Sequence, residues 1–189
     1  MSDSLVILYS NFRIPFTQAE TVCQEDAKRK LKIMAKENCK VIGRQIGKFS
    51  HSGPIIVYSD ILSRVEAFDN LIPFVIDALK YSTDFSRDCM SYCLVSQLRK
   101  DSCKLKDGDT HYNSWFTALC KLIGLFYKKF YQTEVKGIFH FLLQRLKSGE
   151  SLDLLVLKEL LQKMGGCDTV LEISHAQLGK ITTRLLNIF

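Results

Sequence analysis

The sequence predicts an all-α protein, built as an irregular row of helical hairpins in the manner of a HEAT-like solenoid segment. Three observations carry that prediction. Apolar residues recur at spacings of three and four rather than two, which is the pitch of a helix face. Only three prolines and ten glycines interrupt 189 residues, so long stretches run without a breaker. Capping residues and glycines then divide the chain into segments of one to two dozen residues joined by short polar turns, which makes successive helices antiparallel neighbours. No strict sequence repeat is visible, and a compact bundle is the rival architecture.

Taken in order, the first helix is expected to open at Thr17, which forms a T-x-x-E capping box with Glu20, and to run to about Asn38. Ala19, Cys23, Ala27, Leu31 and Met34 make its inward stripe, while Lys28, Arg29, Lys30 and Lys32 make its remaining surface strongly basic. From Cys39 to Gly53 the chain reads GRQIGKFSHSG at its centre. So many glycines predict a loop or one short turn. Pro54 suits the first position of a new helix, where its missing N–H costs nothing, and Ile55, Ile56, Tyr58, Ile61, Leu62, Val65 and Phe68 keep helical spacing. Asn70 is placed to cap the next helix, with Pro73 in its first turn and Leu71, Val75, Ile76 and Leu79 pointing inward. These two helices are expected to pack as a hairpin.

Asp84 opens a further helix lined by Cys89, Met90, Cys93, Leu94 and Leu98, before a polar break from Lys100 to Asp109 that reads as a solvent loop. Thr110 begins the most aromatic segment, where Trp115, Phe116, Leu119, Leu122, Ile123, Phe126, Tyr127 and Phe130 form a wide apolar band. Val135, Ile138, Phe139, Leu142 and Leu146 carry the next helix to Gly149. Ser151 starts another, with Leu154, Leu155, Leu157, Leu161 and Met164 inward and Gly165 and Gly166 closing it. An S-x-x-Q box at Ser174 and Gln177 predicts a last helix to the end.

Composition bounds the function. Apolar types make up 47% and charged types 24%, ordinary globular usage that argues against disorder and against a membrane protein. No apolar run approaches the roughly 20 residues of a membrane-spanning helix, and the start has an acidic Asp3 and no basic leader. Seven scattered cysteines, an odd number, predict reduced thiols and an intracellular compartment. A net charge of +6 favours acidic partners.

No catalytic constellation is legible. Cys89 and Cys93 lie one turn apart, but no second Cys or His pair with zinc-finger spacing accompanies them, so buried apolar thiols are the better reading and no metal is expected. His51, His111, His140 and His175 each fit structural or exposed roles, and no G-x-S-x-G elbow is present. GRQIGK from Gly43 to Lys48 has three residues between its glycines and Phe49 after its lysine, whereas a phosphate-binding P-loop needs four and a Ser or Thr. No cofactor and no small-molecule substrate follow. Lys28, Arg29, Lys30 and Lys32, together with Arg44 and Lys48, form the densest positive region and are the candidate contacts to RNA phosphates, with a solvated face as the plainer alternative. Lys128 and Lys129, between Tyr127 and Phe130, are better read as the basic end of a core helix than as a base-stacking site.

Three long strings, GRQIGKFSHSGP (Gly43 to Pro54), DNLIPFVIDALKYST (Asp69 to Thr83) and LKSGESLDLLVLKELLQKMGG (Leu146 to Gly166), closely resemble, in the same order, the middle of the THO complex subunit 2 family. The resemblance extends from about Lys28 to about Gln177. It implies an α-solenoid segment of a non-enzymatic scaffold, placed in the nucleus within the THO/TREX assembly, which couples transcription to messenger RNA packaging and export. The implied partners are the other THO subunits, and no active-site residues come with it. Residues 17–178 are accordingly expected to form the family-like domain, with divergent segments at 1–16 and 179–189. Because the family chain is several times longer, a truncated isoform, a short paralogue or a fragmentary gene model is expected, without the lysine-rich tail associated with nucleic-acid contact.

Overall fold

The computed structural model describes residues 21–22, 24–33, 37–100, 103–106 and 111–166. The expected capping boxes at Thr17 and Ser174, the inward Ala19, Cys23 and Met34, and the helix start at Thr110 lie outside these residues. Helical residues 24–32 are α1, followed by α2 (Cys39–Ser52), α3 (Pro54–Ala67), α4 (Ile72–Ala78), α5 (Asp84–Leu98), α6 (Ser114–Lys129), α7 (Lys136–Lys147) and α8 (Leu154–Gly165). Several boundaries have clear local causes, two of them, Pro54 and Gly166, expected from the sequence, whereas the cap of α5 is Thr83, the residue before the expected Asp84. Pro54 sits at the first position of α3. The Thr83 side chain caps α5 by accepting from the Ser86 N–H at 3.2 Å. Gly166, at φ +63°, closes α8 in the left-handed region that glycine adopts without strain.

The all-α prediction holds among the described residues, where the only extended pairing is an isolated bridge between Leu105 and Tyr112. Packing is staggered: α2, α4, α6 and α8 each lie on the next in one layer, and α3, α5 and α7 do the same in the other, with α3 crossing to α6. Each helix therefore rests on the helix two places along the chain, which is how a solenoid buries one continuous core between two layers. Tyr58, Ile61, Leu62 and Val65 of α3 meet Phe116, Leu119, Ile123, Phe126 and Tyr127 of α6 within that core, joined by Ala27 and Leu31 of α1.

Four expectations need correction. Residues 39–52 are a helix and not a loop. Gly43 and Gly47 stand one turn apart on the face that meets α4 and the turn after it: a Cβ on Gly43 would sit 3.0 Å from the Ala78 Cα, and one on Gly47 2.6 Å from the Tyr81 carbonyl oxygen. The glycines permit close backbone approach between elements, which outweighs their poor helix propensity. Second, α4 packs on α2 and α6 rather than pairing with α3 as a hairpin. A 3-10 turn at Asp69–Leu71 precedes it, and Asn70 lies within that turn instead of capping.

Third, the segment around Lys104 is not a solvent loop. Lys104 is 7% exposed, and its ammonium donates to both carboxylate oxygens of Asp153 at 2.7 and 2.9 Å. Fourth, of the set expected inward on α8 only Leu155 and Leu157 pack against the core, beside the buried Val156 and Leu160, while Leu154, Leu161 and Met164 remain 38%, 53% and 43% exposed. Phe139 and Leu146 of α7 are exposed as well, and Phe141 takes a core position instead. Hydrophobic spacing identifies a face that is wide enough to need two neighbours, and one of the two is not there among the described residues.

Candidate functional site

The six basic residues singled out from the sequence divide between two surfaces. On α1, Lys28 lies 3.6 Å from Asp60 of α3, and Arg29 pairs within its own helix with Asp26 at 3.5 Å. Lys30 is half-buried. Lys28 and Lys32 border a depression of about 260 Å³ that also contains Asp60, Ser63, Arg64 and Phe68. Arg64, overlooked in the sequence, puts a third cation there from α3. Its Nε and the Asp60 Oδ2 are buried without hydrogen-bond partners, while Asp60 Oδ1 accepts from Gln24 at 3.2 Å. With Lys28 already held by the Asp60 carboxylate, this surface is partly neutralised.

Arg44 and Lys48 belong to a different arrangement. Reading residues 39–52 as a helix puts Lys40, Arg44, Lys48 and His51 on one exposed side of α2, with successive charges about 6 Å apart along the axis for each four residues. That helix contains no carboxylate. Two depressions run beside it and meet at Tyr81. One, of about 280 Å³, is lined by Cys39, Lys40, Pro73, Phe74, Asp77 and Lys80 as well as Tyr81. The other, of about 590 Å³, is bordered by Arg44, Gly47, Lys48, His51 and Thr83.

Close packing of the Tyr81 backbone on Gly47 fixes this ring in the groove, where it stays 39% exposed and carries the Arg44 guanidinium 5.7 Å from its centre. The nearby carboxylates are spoken for: Asp77 is held by Lys129, and Asp84 by Arg87. Lys40, Arg44, Lys48 and Lys80 have no ion-pair partner among the described residues. The result is an apolar floor edged by uncompensated positive charge. Lys40 was missed because residues 39–53 were read as a loop, and Lys80 and Tyr81 because only the packing of α4 and its following turn on α2 brings them to the same groove; the i, i+4, i+8 spacing of Lys40, Arg44 and Lys48 becomes a signal only once that segment is helical.

Several groups with potential for chemistry are committed to structure. Asp153 also accepts from Arg145 Nε at 3.1 Å, and Arg145 in turn pairs with Glu150. Lys104 lies 5.6 Å from the centre of the Phe116 ring. This buried cluster ties the segment before α6 to the junction of α7 and α8. Burial pushes the Cys39 and Cys89 thiols up, raises Cys93 to about 11, and together with Glu159 and Asp153 raises Cys120 further. Such thiols stay protonated at neutral pH and are poor nucleophiles. Among the described residues no three His, Cys, Asp or Glu side chains gather as metal ligands, and no helix is long and apolar enough to cross a membrane.

Comparison with known proteins agrees with the resemblance carried by the three strings. Residues 46–120 match the family model described as a transcription- and export-related complex subunit. The chain is 39% identical over 166 residues to THO complex subunit 2 of Homo sapiens, which is 87% of this chain and 10% of that protein. It is 34% identical over 161 residues to THO complex subunit 2 of Arabidopsis thaliana, 85% of this chain and 9% of that protein. The Saccharomyces cerevisiae protein of the same name is 22% identical over 166 residues, 88% of this chain and 10% of its own length. The chain thus spans about a tenth of the relatives it matches.

Proposed function

We propose, from the premise that the chain belongs to the THO complex subunit 2 family and matches one stretch of its members, that it is a non-enzymatic scaffold segment. It acts in the nucleus, in messenger RNA processing and export, by binding other subunits of a THO/TREX assembly. The observation that carries this reading is the combination of 39% identity over 87% of the chain with a staggered two-layer stack. A stack of that kind offers long ridges and grooves for partners. Its α7–α8 side differs from its middle: apolar side chains on α7 and α8 are exposed while α6 is enclosed. Patches of this sort mark protein contacts. Purification of the tagged chain from nuclear extract at low salt should recover THO subunits. Recovery of none of them would overturn the reading.

The second reading is direct RNA binding, favoured by the row of unpaired cations at Lys40, Arg44 and Lys48. The other candidate contacts, Lys28, Arg29, Lys30 and Lys32, belong to the separate surface on α1. Phosphate contacts would make affinity fall steeply with salt, and reversing Arg44 and Lys48 would weaken binding to all sequences alike. Absence of any retained RNA in a low-salt filter-binding titration ends this reading.

A further inference from the structure

The groove between α2 and α4 has two properties at once, an apolar floor and a cationic edge, and together they specify a ligand more narrowly than charge alone. Pro73, Phe74 and Tyr81 line its floor. Lys40, Arg44, Lys48 and His51 run along one edge, and Lys80 stands on the other. We propose that this groove docks an acidic amphipathic segment of a partner protein, with apolar side chains seated on Phe74 and Tyr81 and carboxylates meeting the lysines and Arg44. The proposal rests on the scaffold reading and gives it a surface and a partner chemistry.

Charge complementarity supports the choice of an acidic partner. Four cations of the groove, Lys40, Arg44, Lys48 and Lys80, have no carboxylate within ion-pair distance among the described residues, while Asp77, which lines the groove, and the nearby Asp84 already hold Lys129 and Arg87. An incoming anion therefore displaces no existing ion pair. The floor decides between protein and nucleic acid. A single strand of RNA gains most from bases stacking on free aromatic faces, but the Tyr81 ring packs against Gly43 on one side and carries Arg44. Aliphatic side chains need only the exposed edges of Tyr81, Phe74 and Pro73. Carboxylates one helical turn apart would match the spacing of Lys40, Arg44 and Lys48 along α2.

The test uses the full chain and three fluorescent probes followed by anisotropy: a synthetic peptide in which Glu alternates with Leu and Phe at helical spacing, polyglutamate of the same charge, and oligouridylate of the same charge. The amphipathic peptide should bind about tenfold more tightly than either control, a difference of about 1.4 kcal/mol. R44E/K48E, two exposed side chains whose reversal should leave the helical circular dichroism intact, should weaken the peptide by tenfold or more. Equal binding of polyglutamate would reduce the groove to unspecific attraction, tighter binding of oligouridylate would make it a nucleic-acid site, and an unchanged affinity for R44E/K48E would remove it; each result overturns the proposal. The scaffold reading fails separately, if the unaltered chain recovers no THO subunit from extract.

Discussion

Helices α6 and α8 pack against each other over much of their length, and both read from sequence as broad apolar bands, yet they meet opposite fates. Nine residues of α6 are buried, among them Phe116, Leu122, Phe126 and Tyr127 with no exposure at all. On α8 only Val156 and Leu160 are buried, and Leu154, Leu161 and Met164 face outward. The difference is position in the stack. Helix α6 is enclosed by α3, α4 and α8, whereas α8 has α6 as its principal neighbour. Even Gly124, on the α6 face toward α8, is needed there, since a Cβ would stand 2.9 Å from the Glu159 carbonyl oxygen. Apolar periodicity states which surfaces require cover; the order of the stack decides which ones receive it within the chain.

The sharpest way to break that comparison is to truncate one side chain on each helix. Phe126→Ala opens a cavity in the core, where the side chain is fully buried, and should cost about 3–5 kcal/mol, by urea unfolding. Leu161→Ala removes a side chain that is already half in solvent and should stay within about 0.5 kcal/mol. Equal losses at the two sites would show that α8 is enclosed as fully as α6.

Next in size is the charge cluster that fastens the junction between the two helices. Asp153 is 1% exposed and is the shared acceptor for Lys104 and Arg145. Asp153→Asn leaves the Lys104 ammonium buried without its counter-charge and should cost about 3 kcal/mol. Lys104→Met in the same chain should recover part of the loss, because removing both charges abolishes the desolvation that neither then has to repay. A double variant as unstable as the sum of the singles would mean that the two groups do not interact.

How much of this was legible in the sequence follows the same division. The helices at α3, α5 and α6 announced themselves, because their apolar residues are enclosed and boundary chemistry such as Pro54 marks where one begins. The helix at α2 did not. Gly43 and Gly47 serve a contact with Tyr81, 34 and more positions later in the chain, and a long-range contact leaves no local trace. The buried Lys104 is the same kind of miss, since its partner Asp153 is 49 positions away. Of the candidate site, Arg44 and Lys48 were legible as charge, but their alignment with Lys40 and the floor supplied by Phe74 and Tyr81 required the α2 to α4 packing. The exposed apolar faces of α7 and α8 were legible as apolar and not as exposed.

A pair of glycine substitutions tests the account of α2 at smaller amplitude. Gly47→Ala forces a methyl toward the Tyr81 carbonyl, a backbone atom that cannot rotate away, and should cost about 1–3 kcal/mol. It should also disturb the groove, since Tyr81 must shift. Gly137→Ala, in the first turn of α7 with nothing within 4 Å of the added carbon, should instead stabilise by about 0.4–1 kcal/mol through the unfolded chain. Thermal denaturation of the two variants separates a glycine required for contact from one that is merely tolerated.

The smallest effect concerns protons, and it again contrasts the interior with the surface. Cys93 on α5 and Cys120 on α6 are buried, and burial holds both thiols above their ordinary value of 9.0, Cys93 at about 11. Above pH 9 the unfolded chain therefore releases these protons before the folded chain does. A group with a raised folded pKa contributes stability that is intact below its unfolded value and declines as pH rises toward the folded one. The urea midpoint should accordingly fall between pH 9 and 11. Tyr127, raised by burial in α6, drives it in the same direction. In C93A/C120A the midpoint starts lower because two small cavities are added, but its decline over that window should be shallower. If the two slopes coincide, the thiols do not titrate differently in the two states, and the alkaline loss belongs to Tyr127 and the other groups that titrate there.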